Sequence, residues 1–176
     1  MSNKSNSLLE LFFSNEELCV RDCSRLLSIS PSTASQYLDV LVKAGLLKKR
    51  EFKSLLLFSA SQNQMFKQKK RQYNIERLYQ SGLITYLERR LLYPTIILFG
   101  SRQKGEDDST SDYDLFVITN QKSSLDLKKF ERKLGKIQIF LHTPNEFQKL
   151  RKTSPELVSN VINGSILSGY LELEWL

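Results

Sequence analysis

Residues 95–119 read TIILFGSRQKGEDDSTSDYDLFVIT. Thr95 to Phe99 reads as a continuous apolar strand. It delivers Gly100 and Ser101 to the head of a polar stretch, where a glycine lets backbone approach a ligand and a hydroxyl with nearby N–H groups can bind phosphate. Asp112 to Thr119 reads as a second strand, with Asp112 and Asp114 flanking Tyr113 at its start. Side chains alternate along a strand, so both carboxylates fall on one face. Two adjacent carboxylates repel unless a cation lies between them, and Mg²⁺, shared between carboxylates and nucleotide phosphates, is the expected one. Paired ions of that kind stabilise the attacking and leaving oxygens of phosphoryl transfer. An acidic turn is the plainer reading, since Glu106, Asp107 and Asp108 lie close by, but it leaves the strand-glycine-serine segment unexplained.

Toward the C-terminus, Leu125 to Leu134 has the spacing of an amphipathic helix and Lys136 to His142 that of a third strand. Pro144 to Arg151 and Pro155 to Asn163 predict two more helices, each with proline near its start. Strand and helix alternate, so residues 94–176 are expected to form an α/β (α+β) domain with a small mixed sheet. Toward the N-terminus, residues 61–93 are polar and basic early. They then place Ile75, Leu78, Tyr79, Leu83, Tyr86, Leu87 and Leu91 at spacings of three and four. This predicts a helical linker interrupted near Gly82, whose apolar stripe suits either domain or a second copy of the chain.

The first 60 residues have a different texture. Ser7 to Phe13 predicts a short helix burying Leu8, Leu9, Phe12 and Phe13, and Val20 to Leu27 a second with Leu26 and Leu27 inward. After a break at Ser28 to Ser30, Ser30 and Pro31 form a helix start, a capping hydroxyl before a proline whose missing N–H costs nothing there. Ala34, Leu38 and Leu41 follow at helical spacing, and Gly45 supplies a left-handed stop. Leu46 to Arg50 and Leu55 to Ser59 then read as two short strands around a Glu51 to Ser54 tip.

The net charge of +7 is unevenly spread: +2 over residues 1–60, +5 over 61–93 and zero over 94–176. A basic surplus confined to the N-terminal half suggests a polyanion partner for that half, the alternative being a solvated basic helix around Lys67 to Arg71. No run reaches the roughly 18 uncharged apolar residues of a membrane span, and Met1 to Ser7 lacks the apolar core of a secretory signal, so a cytoplasmic location without a membrane partner is expected. Cys19 and Cys23 with the single His142 are too few for a zinc set, and two buried thiols are the expectation.

Residues 5–60, above all Ser30 to Leu38 and Leu41 to Leu47, resemble the winged helix-turn-helix DNA-binding domains of small prokaryotic transcriptional regulators, mainly α with a β-hairpin wing. The resemblance implies DNA as a partner. Ser32, Thr33, Ser35 and Gln36 would lie at the start of a recognition helix, where Gln36 can bond adenine bidentately. Lys48, Lys49, Arg50 and Lys53 on the wing would bind phosphates and fix register. Capping roles for the hydroxyls, and a role for the lysines in keeping the strand edge soluble, remain the alternatives. A homodimer through the winged helix or the linker fits the two half-sites such regulators bind.

Phe99 to Gly105 and Ser111 to Val117 resemble the motif of the nucleotidyltransferase superfamily, the polymerase beta-like enzymes, in its minimal prokaryotic form. The likeness extends over about residues 90–170, with Asn163 to Leu167 matching the closing helix-to-strand segment. It implies that Gly100, Ser101 and Arg102 hold a nucleoside triphosphate, ATP being the expected one, and that Asp112 and Asp114 bind Mg²⁺ and are catalytic. The chain is therefore expected to comprise a winged-helix domain (1–60), a basic helical linker (61–93) and a nucleotidyltransferase-like domain (94–176). One position departs from the pattern: on the strand Lys136 to Leu141, Gln138 stands where the superfamily has a third carboxylate. Glutamine cannot act as a base, although its carbonyl can ligate a metal weakly. Two readings stay open. Either a DNA-binding regulator binds Mg-nucleotide without turnover, or an active transferase delivers a nucleoside monophosphate to a protein, RNA or small-molecule hydroxyl. In the second, Glu131 or Glu146 takes the missing role and the winged helix is a targeting module. His142, at the end of the same strand, is read as a surface residue rather than a site neighbour.

Overall fold

Ser30 and Gly45 set the ends of helix α3 (Pro31–Lys43). The Ser30 hydroxyl accepts from the Thr33 N–H at 3.1 Å, and Pro31 takes the first helical position. Beyond the last turn Gly45 adopts φ +71, with its N–H donating to Val42 O and that of Leu46 to Leu41 O, each at 2.9 Å. These two bonds make a Schellman motif, which needs a residue tolerant of the left-handed region at that position.

A computed structural model describes residues 3–14, 17–121 and 123–172 of the chain, which divides into two compact units, Met1–Lys70 and Arg71–Leu176. In the first unit α3 packs with α1 (Asn3–Glu10) and α2 (Val20–Leu27), and a 3₁₀ turn (Leu11–Ser14) follows α1. Leu8, Phe12, Cys23, Ala34, Leu38 and Leu41 are fully buried and form its centre. Leu26 does not turn inward as its spacing suggested, and is 58% exposed. Cys23 and Leu27, four apart, define the inner stripe of α2, and that places Leu26 about 100° away from it.

The wing is a hairpin of β2 (Leu47–Phe52) and β3 (Leu55–Ala60), and a short β1 (Leu18–Cys19) pairs with the other edge of β3. Its strands run longer than the expected polar tip allowed. Phe52 pairs with Leu55, leaving a two-residue turn of Lys53 and Ser54 with φ +47 and +61. Positive φ at both central residues is what a type I′ hairpin requires.

The stretch expected as a linker folds as α4 (Gln64–Ser81) and α5 (Leu83–Arg90), parted at Gly82, and the division between the units falls inside α4. Within the second unit Leu78, Leu83, Ile84, Leu87 and Leu91 are core residues, so this half of the stretch is part of the C-terminal fold.

That fold is a four-stranded sheet in the order β6-β5-β4-β7, from β4 (Thr95–Phe99), β5 (Tyr113–Ile118), β6 (Ile137–His142) and β7 (Ser165–Ser168). Only β5 and β6 run parallel, and the crossover they require contains α7 (Lys128–Leu134). Alternation along the strands separates two cores. Ile96, Leu98, Tyr113, Leu115, Val117 and Ile137 meet Phe130 and Leu134 of α7 on one face. Ile97, Phe99, Phe116 and Ile118 meet α8 (Pro144–Thr153) and α9 (Pro155–Ile162) on the other, through Phe147, Val158 and Val161. At the far end of β6 the imidazole of His142 stacks on Phe116, with ring centroids 5.0 Å apart and planes 15° from parallel.

Candidate functional site

The strand register decides which side chains meet. Phe99 at the end of β4 pairs with Asp114, and Asp114 pairs with Gln138 on its other side. Tyr113 pairs with Ile137, so the preceding residues, Asp112 and Lys136, are also neighbours. Asp112, Asp114 and Gln138 therefore share the end of the sheet at which β4 gives way to α6 (Gly100–Lys104), on the face of α8 and α9.

Gly100 is fixed there by shape. Its φ is +77, and a Cβ at this position would collide with the Asp114 carboxylate. The turn thus brings the backbone of Gly100 directly against the Asp114 carboxylate, and the first N–H groups of a helix lack intrahelical acceptors. Ser101 is half-buried beside it.

Asp112 and Asp114 differ in environment. Lys136 Nζ lies 2.6 Å from Asp112 Oδ2. The Asp114 carboxyl is pushed above its ordinary value, first by desolvation and then by the charge of Asp112, with Lys136 opposing. Among the described residues no group of three His, Cys, Asp or Glu gathers to hold a metal. Two carboxylates with nucleotide phosphates nevertheless suit one Mg²⁺, which commonly takes one or two protein carboxylates and completes its shell with phosphate and water.

Arg102, expected at the nucleotide, lies at this end but turns to the opposite face of the sheet. It is 7% exposed, and its guanidinium reaches Asp107 Oδ2 at 3.1 Å and Ser111 O at 2.7 Å and lies 4.4 Å from the centre of the Tyr113 ring. Tyr113 belongs to the opposite face of the sheet, and α6 turns Arg102 that way. Asn74 joins the cluster, donating to Asp107 Oδ1 at 2.8 Å and Arg102 O at 3.0 Å. The arginine thus pins the loop that leads into Asp112. In the same loop the hydroxyls of Thr110 and Ser111 donate to Asp108 and hold its carboxyl down to about 2.

The two substitutes expected for the missing carboxylate are also elsewhere. Glu131 lies on α7, which covers the opposite face. Glu146 caps α8, accepting from the Thr143 N–H at 2.7 Å, beyond the far end of β6. That end is four residues past Gln138, about 13 Å along a strand. Lys136 is the site residue that sequence reasoning missed. Its signal was the offset of two from Gln138, which repeats the offset between Asp112 and Asp114.

In the first unit Ser32 and Gln36 are exposed on α3, while Thr33 and Ser35 are half-buried. The Thr33 hydroxyl lies 2.8 Å from that of Ser30 within the cap. On the wing Lys48, Lys49, Arg50 and Lys53 are all exposed, but two have acidic partners. Arg50 pairs with Glu17, and Lys49 lies 3.6 Å from Asp39. Lys48 and Lys53 make no ion pair among the described residues, and Lys53 lies over the ring of Phe52 at 5.4 Å. Cys19 and Cys23 are unpaired and buried, and burial, helped by Asp22, pushes the Cys23 thiol up to about 11.

Comparison with known proteins supports both halves. Residues 7–49 match the family model of bacterial regulatory proteins of the arsR family, in keeping with the winged helix-turn-helix fold of the first unit. Among solved structures, the adhesin competence repressor from Streptococcus pyogenes is 17% identical with a TM-score of 0.41, over 51% of this chain and 66% of that one, just short of two thirds of its length. No curated protein matches. Among the described residues no helix is long and apolar enough to cross a membrane. Residues 82–169, half of the 176-residue chain, match the family described as polymerase beta, nucleotidyltransferase, and the chain therefore belongs to that family.

Proposed function

We propose that the chain is a DNA-binding transcriptional regulator whose C-terminal domain binds a magnesium-nucleotide, ATP in the first instance, without turning it over. The observation that carries this reading is the pairing of Asp114 with Gln138, a neutral amide that accepts no proton from an acceptor hydroxyl. Gly100 and Ser101 would cradle phosphate through backbone N–H groups, and Asp112 and Asp114 would hold the cation. Bound Mg²⁺ would supply charge neutralisation for the phosphates. Ser32 and Gln36, exposed at the start of α3, would read base edges, while Lys48 and Lys53 would anchor the wing to phosphates.

The test has two parts. Selection from random duplex DNA, followed by anisotropy titration, is expected to yield a preferred sequence bound above the salt-sensitive background, and Gln36→Ala is expected to relax it. Calorimetry with ATP and Mg²⁺ is expected to give binding that Asp112→Ala weakens and makes independent of Mg²⁺. DNA binding without sequence preference would end the regulator reading. Transfer of labelled nucleotide to any acceptor would end the reading without turnover.

A further inference from the structure

We infer that Lys136 is the site's built-in cation: its ammonium occupies the place of a second divalent ion, pairing with Asp112 and meeting a phosphate oxygen of the bound nucleotide, so that the site takes one divalent cation at most. This rests on the nucleotide reading above and specifies how the ligand is held.

Two pairs meet at this end of the sheet: Asp114 with Gln138 in the β5–β6 ladder and, one residue before each strand, Asp112 with Lys136, so each carboxylate stands beside a non-acid. Two-metal phosphoryl-transfer sites need carboxylates enough to hold both ions. Here the four side chains together carry a net charge of −1. In the absence of nucleotide one divalent ion reverses that charge, and a second would add to an already positive site. Among the described residues no third acid gathers with Asp112 and Asp114 to make up the shortfall. Asp107 is bound to Arg102, Asp108 to Thr110 and Ser111, Glu131 lies on the opposite face and Glu146 at the far end of the sheet.

The placement of the lysine fits a ligand as well as an ion pair. Its side chain is 66% exposed while that of Asp112 is 20% exposed, so the ammonium reaches over the carboxylate from the solvent side. An ammonium has three donors, and Asp112 engages one. The other two make no hydrogen bond among the described residues, and would meet phosphates held by Gly100 and Ser101.

The experiment uses the full chain with Lys136→Met and Lys136→Arg, two exposed substitutions whose folding is checked by thermal melting. Manganese is titrated alone and followed by electron paramagnetic resonance. Wild type is expected to bind no more than one Mn²⁺ per chain at the carboxylates, a site that Asp112→Ala removes. Lys136→Met is expected to bind Mn²⁺ about tenfold more tightly, because a competing positive charge has gone, whereas Lys136→Arg should stay near wild type. ATP is then titrated in excess EDTA. Wild type is expected to retain binding, and Lys136→Met to lose about tenfold or more, with a smaller loss when Mg²⁺ is present. Two Mn²⁺ per wild-type chain, or unchanged Mn²⁺ and ATP affinities in Lys136→Met, would overturn the role of Lys136 while leaving nucleotide binding intact. No ATP binding by any variant in either condition would overturn the nucleotide reading and the phosphate contact with it.

Discussion

At position 100 a methyl group has nowhere to go. The backbone is left-handed and the Asp114 carboxylate fills the space a Cβ would take, so Gly100→Ala combines a dihedral penalty with a displaced acid. We expect a loss of about 1–2 kcal/mol of stability, measured by urea unfolding, together with loss of nucleotide binding. Asp114 itself illustrates a site held at a cost. Its folded pKa lies above the ordinary 3.8, so the folded state holds the proton more tightly than the unfolded one. Stability is therefore fullest below the unfolded value and falls as pH rises through the folded value. Asp114→Asn removes that charge and is expected to melt at a higher temperature than wild type at pH 7. The advantage should shrink toward pH 4, and metal binding should be lost. Both residues were legible in the sequence, because glycine-serine and Asp-Tyr-Asp each carry their spacing on their face. Lys136 and the inward turn of Arg102 were not, since strand register and the path of a five-residue helix are set by packing across the sheet.

Among the elements, the wing holds the clearest conflict between sequence and shape. A type I′ turn favours Asn-Gly, yet Lys53 and Ser54 occupy it at positive φ. Replacing them by Asn-Gly should raise the stability of the first unit by about 1 kcal/mol, read as a shift of the urea midpoint. The same mismatch explains why the sequence suggested a longer polar tip: neither residue advertises the turn. Helix α3 was readable to its ends because Ser30, Pro31 and Gly45 are chemical signals of start and stop. On α2 hydrophobicity alone does not fix the inner face: Leu26 lies off the stripe that Cys23 and Leu27 define and faces solvent.

For the whole molecule, composition spoke about charge more clearly than about boundaries. The surplus lies before residue 94, and the wing lysines are its exposed tip on the first unit. Each phosphate neutralised adds about 0.9 to the slope of log affinity against log salt. Lys48→Ala is expected to lower that slope by about one while preserving sequence preference, and Gln36→Ala to do the reverse. Apolar spacing in residues 61–93 correctly announced helices broken at Gly82, but could not say which core would take their stripe; Leu78, Leu83 and Leu87 lie in that of the second unit.

The stacking of His142 on Phe116 has a practical consequence. It is the only histidine in the chain, so its carbon-bound ring protons give isolated magnetic resonance signals, displaced by the ring current of the aromatic beneath it. The residue stands at the opposite end of β6 from Gln138, some four residues down the strand. The protein thus carries its own spectroscopic reporter. If the signal moves when nucleotide is added, occupancy at one end of the sheet is felt at the other; if it stays still, the response is local to the carboxylates.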